Sequence, residues 1–407
     1  MYDAIVVGAR CAGASTAMLL ARSGHRVLMI DRARFPRDTL STLYIQQAGV
    51  ALLNRWGLYD EVLDSGCPLL DRTSYRIGDV TLAGKPAPVP GAGAALAPRR
   101  AVLDAILANA AVRAGVEFRD GCSVEGLVFE ENRVVGVRCR AGRGPEVVER
   151  AALVIGADGM RSAVAAAVDA PMLVEDSPKT CVYYSFFAGA SDHFELYEAP
   201  GQWIGAVPTN DGATLVQAYF PQSEFARVRH DAAAAFQHNV RSAAPGLHER
   251  MLAGGQVDRL FGTGDQRNFF RTAAGPGWVL VGDAGHHRDS ITARGITHAF
   301  RQAQLLADLI EDDLRDRARA DAATTAFAQR RNDMLIDDYR DTLSVARLSV
   351  PPHRIDLLRE VAADPVRTEQ FFSAMCGSAT PAASGDSLAA TIQWLKAARR
   401  NRLARVR

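Results

Sequence analysis

Three short glycine-containing turns, each of which follows an apolar run, constrain the fold of this chain more than any other feature. The apolar runs and the turns they lead into are YDAIVV (2–7) into GARCAG (8–13), ALVI (152–155) into GADGMRS (156–162), and GWVLV (277–281) into GDAG (282–285). Each pattern is typical of a buried strand that ends in a tight polar turn, which is where open α/β sheets bind nucleotides. Three such turns predict one extended ligand that is held at several points along its length.

The composition is that of an ordinary globular enzyme and excludes several kinds of protein. A chain of 407 residues has the length of roughly two to three domains and can bury a large core. The net charge of +1 gives no strong field that would attract nucleic acid or an anionic membrane. No apolar run approaches the roughly 18 residues of a membrane span, and the strand at the N-terminus leaves no room for a signal peptide.

The cysteines indicate the redox environment and argue against a metal centre. Six cysteines are scattered along the chain without CxxC or other metal-ligand spacing. Reduced thiols are the simplest interpretation, so we expect a cytoplasmic protein without a bound metal.

The first turn keeps two of the three glycines of the dinucleotide fingerprint GxGxxG. Gly8 can make the tight turn and Gly13 permits close packing of helix on strand, with Ala9 and Ala12 between them. Arg10 replaces the middle glycine, which normally lets a pyrophosphate approach the backbone. The helix that begins here still offers free N–H groups and a positive dipole end to a phosphate. Arg10 can add charge there or point to solvent, and the sequence leaves both alternatives open.

Asp31 follows the second strand and is the candidate partner of a ribose. It lies about 20 residues beyond the first turn, the spacing expected of an acid that accepts hydrogen bonds from an adenosine ribose. Its carboxylate also disfavours a bound 2′-phosphate, and hence NADP at this site. The alternative is that Asp31 merely ends a strand, but the βαβ pattern around it favours the ribose. We include the next residue, Arg32, among the cofactor-binding candidates.

The third turn indicates that the bound dinucleotide contains a flavin and not a nicotinamide. Gly282 and Asp283 place a carboxylate where it can accept hydrogen bonds from sugar-like hydroxyls, such as the ribityl chain of a flavin. The helix that begins near Gly295 and Ile296 points its N-terminal amides beyond that chain. A reduced flavin is anionic around N1 and O2, so a helix N-terminus is a suitable stabiliser. Together the three turns predict FAD.

The order of the patterns predicts a discontinuous cofactor-binding domain, which is built from separate segments of the chain. Apolar residues at helical spacing predict a helix over 296–314, whereas residues 179–222 read as strands with turns. We expect an α/β fold with a doubly wound, Rossmann-like FAD-binding domain, a mixed or antiparallel substrate sheet and a helical C-terminal region. We predict residues 1–72, 96–165 and 265–330 for the FAD-binding domain, 73–95 and 166–264 for the substrate domain, and 331–407 for the helical region.

The three motifs, their order and their spacing resemble those of the para-hydroxybenzoate hydroxylase superfamily of FAD-dependent oxidoreductases. This group includes single-component flavoprotein monooxygenases, geranylgeranyl reductases and flavin-dependent halogenases. The resemblance covers roughly residues 1–320, and the combination of motifs is specific for the superfamily but far less so for the reaction.

The resemblance also implies roles for particular residues. It implies that the ADP half of FAD is held by Gly8, Ala12, Gly13 and Asp31. It places Arg100 on the helix beside the flavin chain and Val124 beside the adenine. Asp158 and Gly159 belong to the middle motif. Asp283 is placed on the ribityl chain, and Gly295 with Ile296 beside the isoalloxazine ring. Three positions depart from the pattern: Arg10, Ser290 where relatives often have proline, and Arg294 where glutamine is common.

The activity that the resemblance implies is that of an FAD-dependent monooxygenase. NAD(P)H would reduce the flavin, and molecular oxygen would form a flavin C4a-hydroperoxide that hydroxylates or epoxidises a small apolar or aromatic substrate. Only one dinucleotide fingerprint is visible, so we expect NAD(P)H to bind transiently. A reductase of the geranylgeranyl reductase type is the first alternative. A halogenase is disfavoured because the WxWxIP segment is absent, and WIGAVP at 203–208 echoes it only in part.

Few side chains qualify as catalytic, because in this superfamily the flavin carries the chemistry. Tyr44 can border a substrate, and His286 is a general acid–base candidate next to the third turn. Packing roles are the alternative for both. The aromatic residues of the expected sheet, which include Phe194 and Trp203, can line a pocket or form sheet core. The basic tail between Lys396 and Arg407 reads as a solvated helix end.

Overall fold

The computed structural model of the chain describes residues 1–310 and 314–376. The strands are β1 (Tyr2–Val7), β2 (Val27–Ile30), β3 (Leu69–Leu70), β4 (Thr73–Ile77), β5 (Val80–Gly84), β6 (Ala95–Leu96), β7 (Glu117–Arg119), β8 (Cys122–Glu130), β9 (Arg133–Ala141), β10 (Glu146–Gly156), β11 (Met172–Asp176), β12 (Thr180–Ala188), β13 (Phe194–Ala199), β14 (Gln202–Pro208), β15 (Ala213–Pro221), β16 (Phe261–Thr263), β17 (Asn268–Arg271), β18 (Ala274–Gly275), β19 (Trp278–Leu280) and β20 (His286–His287). The helices are α1 (Cys11–Arg22), α2 (Gln47–Arg55), α3 (Tyr59–Asp64), α4 (Arg100–Arg113), α5 (Ala163–Ala167), α6 (Phe225–His230), α7 (Ala232–Ala243), α8 (Pro245–Gly254), α9 (Gly295–Leu309), α10 (Arg317–Val345), α11 (Pro352–Ala362) and α12 (Pro365–Met375).

A parallel sheet forms the centre of the nucleotide-binding part. Its strands follow the order β18-β19-β10-β1-β2-β7, and all neighbours in this row are parallel except β18 and β19. Every residue of β1 and β2 is buried. Strands that are buried on both faces read as continuous apolar runs, which is why these segments show no alternation in the sequence.

The two faces of the parallel sheet are covered by different structures. Ala4 and Val6 of β1 face the helices α1, α4 and α9, whereas Ile5 and Val7 face the other way. That second face is covered by α5 and by a meander in which β8 pairs with β9 and β9 pairs with the first half of β10. The prediction of an α/β fold is confirmed, and one of its covering layers is itself a sheet.

The second large sheet has seven strands in the order β16-β12-β15-β14-β13-β4-β5. It is mixed, because β13 and β4 are parallel and the other neighbouring pairs are antiparallel. One face packs against α11 and α12 and the other against α7 and α8. Its strands come from residues 73–84 and 180–263, within the two ranges predicted for the substrate domain.

Two helices differ in extent from their predictions. Helix α9 ends at Leu309, short of the predicted Leu314, and residues 311–313 lie outside the described part of the chain. Helix α10 runs for 29 residues through the boundary predicted at residue 331. The domain boundaries therefore stay predictions. The basic tail also lies outside the described residues, as does the rest of 377–407. No helix between residues 1 and 376, where described, is long and apolar enough to cross a membrane.

Candidate functional site

The first and second glycine turns are in direct contact at the carboxyl ends of β1 and β10. Gly8 has φ +100°, and a Cβ atom there would lie 2.4 Å from the carbonyl oxygen of Ala157. A Cβ atom on Gly13 would lie 1.8 Å from the carbonyl oxygen of Gly8. The N–H of Ala157 donates to the carbonyl of Val7 at 2.8 Å. Glycine is therefore required at both positions: a side chain at Gly8 would separate the two turns, and one at Gly13 would push α1 away from the end of β1.

The third turn meets the first on the other side of α1. Gly282 has φ +60°, and a Cβ atom there would lie 2.7 Å from the Cβ of Ala12. Its N–H donates to Oε1 of Gln302 in α9 at 3.0 Å. The three motifs, which lie far apart in the sequence, thus converge around the N-terminus of α1. This is the arrangement that an extended dinucleotide requires.

Helices α1 and α9, which both pack against the third turn, have open N-termini. Helix α1 and helix α9 have neither a side-chain cap nor an acidic residue in the first turn. The first N–H groups of a helix find no partner inside the helix, and an anion can satisfy them. Gly295, the first residue of α9, is exposed, and a Cβ atom there would have nothing within 4 Å, whereas Ile296 is buried. Both helix ends therefore suit a ligand that is negatively charged or becomes so on reduction.

Asp31 lies where the sequence predicts, directly after β2. One of its carboxylate oxygens accepts from the N–H of Ala9 at 2.8 Å, and the other accepts from the N–H of Ala33 at 2.8 Å. The carboxylate thus holds the first turn in place, in addition to any contact with a ribose. Arg32 is exposed beside it, and Val124 stands in β8 opposite Cys139.

A buried carboxylate next to α1 forms ion pairs with two arginines. Asp104 of α4 accepts from Nη1 of Arg10 at 2.7 Å, and Nη2 of Arg100 reaches both of its oxygens at 3.0 Å. Burial disfavours the charge on Arg100, but Asp104 and, more weakly, Asp283 raise the pKa of Arg100 above its usual value. Asp283 is exposed at the third turn. Asp283 therefore lies close enough to Arg100 to act on its charge, and the roles of both residues at the flavin chain stay predictions.

Asp158 has a local structural role in the middle motif. Its carboxylate accepts from the hydroxyl of Ser162 at 2.5 Å and from the N–H groups of Ala163 and Val164 at 2.6 and 3.1 Å. Burial raises its pKa. These bonds hold the start of α5 against the turn, so Asp158 shapes this wall of the site through the backbone.

An apolar pocket lies between the seven-stranded sheet, α12 and the residues that precede α9. Its aromatic and aliphatic walls include Tyr44, Phe194, Trp203, Ile291 and Phe371. Tyr44 stacks on Phe194 with ring centroids 4.5 Å apart, and its hydroxyl donates to Sγ of Cys376 at 3.4 Å. Phe194 and Trp203 therefore line a pocket, whereas Tyr183 lies on the opposite face of the sheet.

A chain of charged and polar side chains connects this pocket to the interior. Arg294 of the pocket wall forms an ion pair with Asp338, whose other oxygen lies 2.7 Å from Nε2 of His298. Nη1 of Arg288 lies 2.8 Å from Nδ1 of that ring. Since arginine can only donate, Nδ1 is the acceptor and Nε2 carries the proton towards Asp338.

Burial and the nearby Arg288 lower the pKa of His298 to about 3, so this ring is neutral at physiological pH. Burial alone would raise the pKa of Asp338, but Arg294 and His298 hold it below its usual value. Sequence reasoning missed Arg288, His298 and Asp338, because their partners lie on separate elements. The only signal was the spacing of Arg294 and His298, one helical turn apart.

His286, a weak catalytic candidate, is placed away from the pocket. Its side chain is buried, its ring centroid lies 4.3 Å from that of Phe270, and Tyr339 packs against it. Burial and the charge of Arg288 lower its pKa well below the usual value. The neighbouring His287 bonds through Nδ1 to the carbonyl of Arg267. This geometry favours the packing role for both histidines.

Comparison with known proteins identifies the family. Residues 1–334 match the family described as FAD binding domain. The chain belongs to this FAD binding domain family. The resemblance to the para-hydroxybenzoate hydroxylase superfamily is thereby confirmed, and the protein is an FAD-dependent oxidoreductase. The glycine contacts, the two open helix N-termini and the exposed Asp283 fit FAD, while the assignment of individual contacts stays a prediction.

Proteins whose names describe different reactions are similar to the chain. It is 26% identical over 393 residues to 6-methylpretetramide 4-monooxygenase of Streptomyces rimosus, covering 93% of this chain and 90% of the relative. It is 28% identical over 322 residues to digeranylgeranylglycerophospholipid reductase of Methanosarcina mazei, which covers 75% of this chain and 74% of the relative. A myxobacterial chondrochloren halogenase shares the fold, with a TM-score of 0.77 at 22% identity over 89% of this chain and 90% of that one.

Proposed function

We propose that this FAD-dependent oxidoreductase is a monooxygenase that uses NAD(P)H and molecular oxygen to hydroxylate or epoxidise a small apolar or aromatic compound. The reaction consumes one substrate, one O₂, one NAD(P)H and one proton, and yields the oxygenated product, NAD(P)⁺ and water. The observation that carries the proposal is the apolar pocket at Ile291 and Arg294, directly before Gly295.

The residues around FAD have distinct tasks in this proposal. The N-terminus of α1 would receive the diphosphate, Asp31 the adenosine ribose and Asp283 the ribityl chain. The N-terminus of α9, at Gly295 and Ile296, would face the flavin ring and favour its anionic reduced form. FAD supplies the electron transfer to oxygen, and no acid–base pair of the chain is needed for that.

The pocket supplies what the chemistry requires from the protein. Its walls of Tyr44, Phe194 and Trp203 are at least nine-tenths buried and would exclude water from the reacting centre. Exclusion of water protects a reactive oxygen species from hydrolysis and from release as peroxide. The similarity to 6-methylpretetramide 4-monooxygenase over 93% of the chain supports this reading, since its name describes an oxygenation.

The test is oxygen consumption coupled to NAD(P)H oxidation in the FAD-loaded protein. We expect both rates to rise together when a panel of polycyclic and monocyclic aromatic compounds is screened. Phe194→Trp, which narrows the pocket, should lose the stimulation while it retains FAD. Tyr183→Phe, on the other face of the same sheet, is the matched control. Absence of stimulation by any compound would argue against the proposal.

A reductase of the geranylgeranyl type is the second candidate, favoured by the 28% identity to the archaeal phospholipid reductase. It would use the same pocket to transfer hydride without inserting oxygen. The halogenase is not supported by the WIGAVP segment, because that segment forms strand β14 and contributes Trp203 to the pocket as an apolar wall.

A further inference from the structure

The segment that leads from the third turn to α9 is held by two side-chain amides from another part of the chain. Residues Ser290–Thr292 form a single 3₁₀ turn, and Asp289 is its N-cap. The backbone N–H of Asp289 donates to Oδ1 of Asn268 at 2.7 Å, and that of Ser290 donates to Oε1 of Gln266 at 3.1 Å. Two consecutive N–H groups are thus bonded to side chains at the start of β17 and just before it.

Ser290 makes a contact that the proline expected from the resemblance could not make. Its hydroxyl also donates to Oε1 of Gln266, at 2.6 Å. Proline has neither a backbone N–H nor a hydroxyl, so it would lack both bonds. The backbone itself does not require serine, because Asp289 has ψ 134°, which a following proline accepts. The serine therefore adds a connection to Gln266 without a change in the shape of the segment.

The contacts of Gln266 allow only one orientation of its amide. Its Nε2 donates to the carbonyl oxygen of Thr180 at 3.2 Å and to Oγ1 of the same residue at 2.8 Å. A carbonyl can only accept and the N–H of Ser290 can only donate, so exchange of the amide nitrogen and oxygen would break bonds at both ends. Gln266 is 3% exposed, and unpaired polar groups in the interior are costly. The amide therefore ties Ser290 to the first residue of β12.

The hydrogen bonds continue from Thr180 to a buried carboxylate. The hydroxyl of Thr180 donates to Oδ2 of Asp289 at 2.7 Å, and Oδ1 accepts from the N–H of Ile291 at 3.1 Å. Burial raises the pKa of Asp289 to about 6, so the carboxylate is mainly ionised above that pH. An ionised carboxylate can only accept, so Thr180 accepts from Gln266 and donates to Asp289. The bonds thus return to the segment from which they started.

Tyr219 extends this network to the wall of the apolar pocket. Its hydroxyl lies 3.0 Å from Oγ of Ser290 and 3.2 Å from Oε1 of Gln217. It stands in β15 opposite Trp203, which lines the pocket together with Ile291 of the 3₁₀ turn. A buried polar network whose members are bonded to one another favours a single arrangement. The network therefore fixes the 3₁₀ turn relative to the seven-stranded sheet.

We propose that Gln266 and Ser290 are positioning residues for the flavin. Helix α9 begins shortly after the 3₁₀ turn, so the place of the turn sets where the N-terminus of α9 stands at the flavin ring. The effect of a helix end on a charge falls off within about one turn, so a small displacement weakens the stabilisation of the reduced, anionic flavin. Neither residue needs to touch the flavin. The inference rests on the proposed function in one respect, because it takes Gly295 and Ile296 as the residues that face the ring.

The midpoint potential of the bound FAD tests this inference, because it reports how much more tightly the protein binds reduced FAD than oxidised FAD. Ser290→Pro removes both bonds to Gln266, and Gln266→Met removes the amide. We expect each variant to lower the preference for reduced FAD by a factor of about two to five, the strength of a helix end that acts on a nearby charge. The change should appear as a lower potential against a reference dye under anaerobic conditions. Ser290→Ala keeps the N–H bond to Gln266 and should show a smaller shift.

Controls separate the position of the helix from the stability of the fold. Ser223→Ala, at an exposed position in the 3₁₀ turn that follows β15, should leave the potential unchanged. Thermal unfolding of each FAD-free variant completes the comparison, because a purely structural network would lower the melting temperature without a change in the potential. An unchanged potential in Gln266→Met, or in Ser290→Ala should Gln266→Met not fold, would overturn the inference. Failure of the monooxygenase proposal would appear in oxygen consumption, whereas the potential would shift in a reductase as well.

Discussion

At the scale of single residues, Arg10 replaces the middle glycine of the dinucleotide fingerprint, and it either binds the diphosphate or is only tolerated there. Its guanidinium is 27% exposed and is fixed by Asp104 beside the open N-terminus of α1. If Arg10 binds the diphosphate of FAD, Arg10→Gly should weaken FAD binding about tenfold, because a charge-assisted bond is lost. The variant restores the strict glycine pattern, so stronger FAD binding in Arg10→Gly would show that the arginine is only tolerated. Arg22→Gln, at the other end of the same helix, is the control in the FAD titration.

Asp283 gives the second prediction at this scale. Its exposed carboxylate stands at the turn that packs on Ala12, within the field of Arg100. Asp283→Ala should weaken FAD binding by a factor of about ten to one hundred, the cost of about 1.5–3 kcal/mol for charge-assisted bonds to the ribityl hydroxyls. His287→Ala, on the same segment, should change FAD affinity far less. Equal affinities in a fluorescence titration would mean that the carboxylate serves only the turn.

The glycines of the site could be predicted from the sequence, whereas the direction of Arg10 could not. Gly8, Gly13 and Gly282 follow buried strands, and the carboxyl ends of parallel strands meet at one edge of a sheet. Their convergence therefore follows from the strand pattern alone. The position of the Arg10 side chain depends on Asp104, which lies 94 residues further along the chain on another helix. No local pattern contains that information.

At the scale of elements, the short strand β20 places His286 where its charge is disfavoured. Phe270 and Tyr339 pack against the ring, and burial together with the charges of Arg288 and Arg331 disfavours its protonation. The folded protein keeps His286 neutral, while the unfolded chain takes up a proton below about pH 6.5. The unfolded state then binds more protons, so the free energy of unfolding should fall as the pH falls.

His286→Phe should remove the contribution of His286 to the pH dependence of the free energy of unfolding. Each histidine can contribute up to about 1.4 kcal/mol per pH unit, so the variant should lose stability less steeply between pH 7 and 5.5. Asp289, whose pKa burial raises to about 6, acts in the opposite direction. It is present in both proteins and cancels in the comparison. Urea unfolding at several pH values measures the slopes, and identical slopes would contradict the assignment.

The sequence predicted only part of the structures that cover the two faces of the parallel sheet. Amphipathic spacing predicted α9, whose apolar face lies on the parallel sheet. The meander of β8 and β9 could not be predicted as the cover of the opposite face, because that placement depends on contacts with Ile5 and Val154 and not on local pattern. The pocket likewise needs Cys376, which lies 332 residues from Tyr44 in the sequence.

At the scale of the whole molecule, membership of the FAD binding domain family makes the identity of the bound flavin testable. The purified protein should be yellow, and denaturation should release FAD and not FMN. The reason is the first βαβ unit: the open N-terminus of α1 and Asp31 form a site for the ADP half, which FMN would leave empty. Chromatography of the released flavin decides between the two. A colourless protein that FAD cannot reconstitute would contradict this assignment.

The reaction itself is decided by the fate of molecular oxygen. A monooxygenase places one atom of labelled O₂ in the product and the other in water, so the product mass should rise by one oxygen atom that carries the label. The apolar pocket at Tyr44 and Phe194, directly before the open N-terminus of α9, would limit the access of bulk water during oxygen transfer. The same open helix end is also compatible with hydride transfer, because a reduced flavin forms in either reaction. Mass spectrometry of the product formed under labelled oxygen and under anaerobic conditions therefore separates the two activities. A product that forms without oxygen, is two hydrogens richer and carries no label would identify the protein as a reductase.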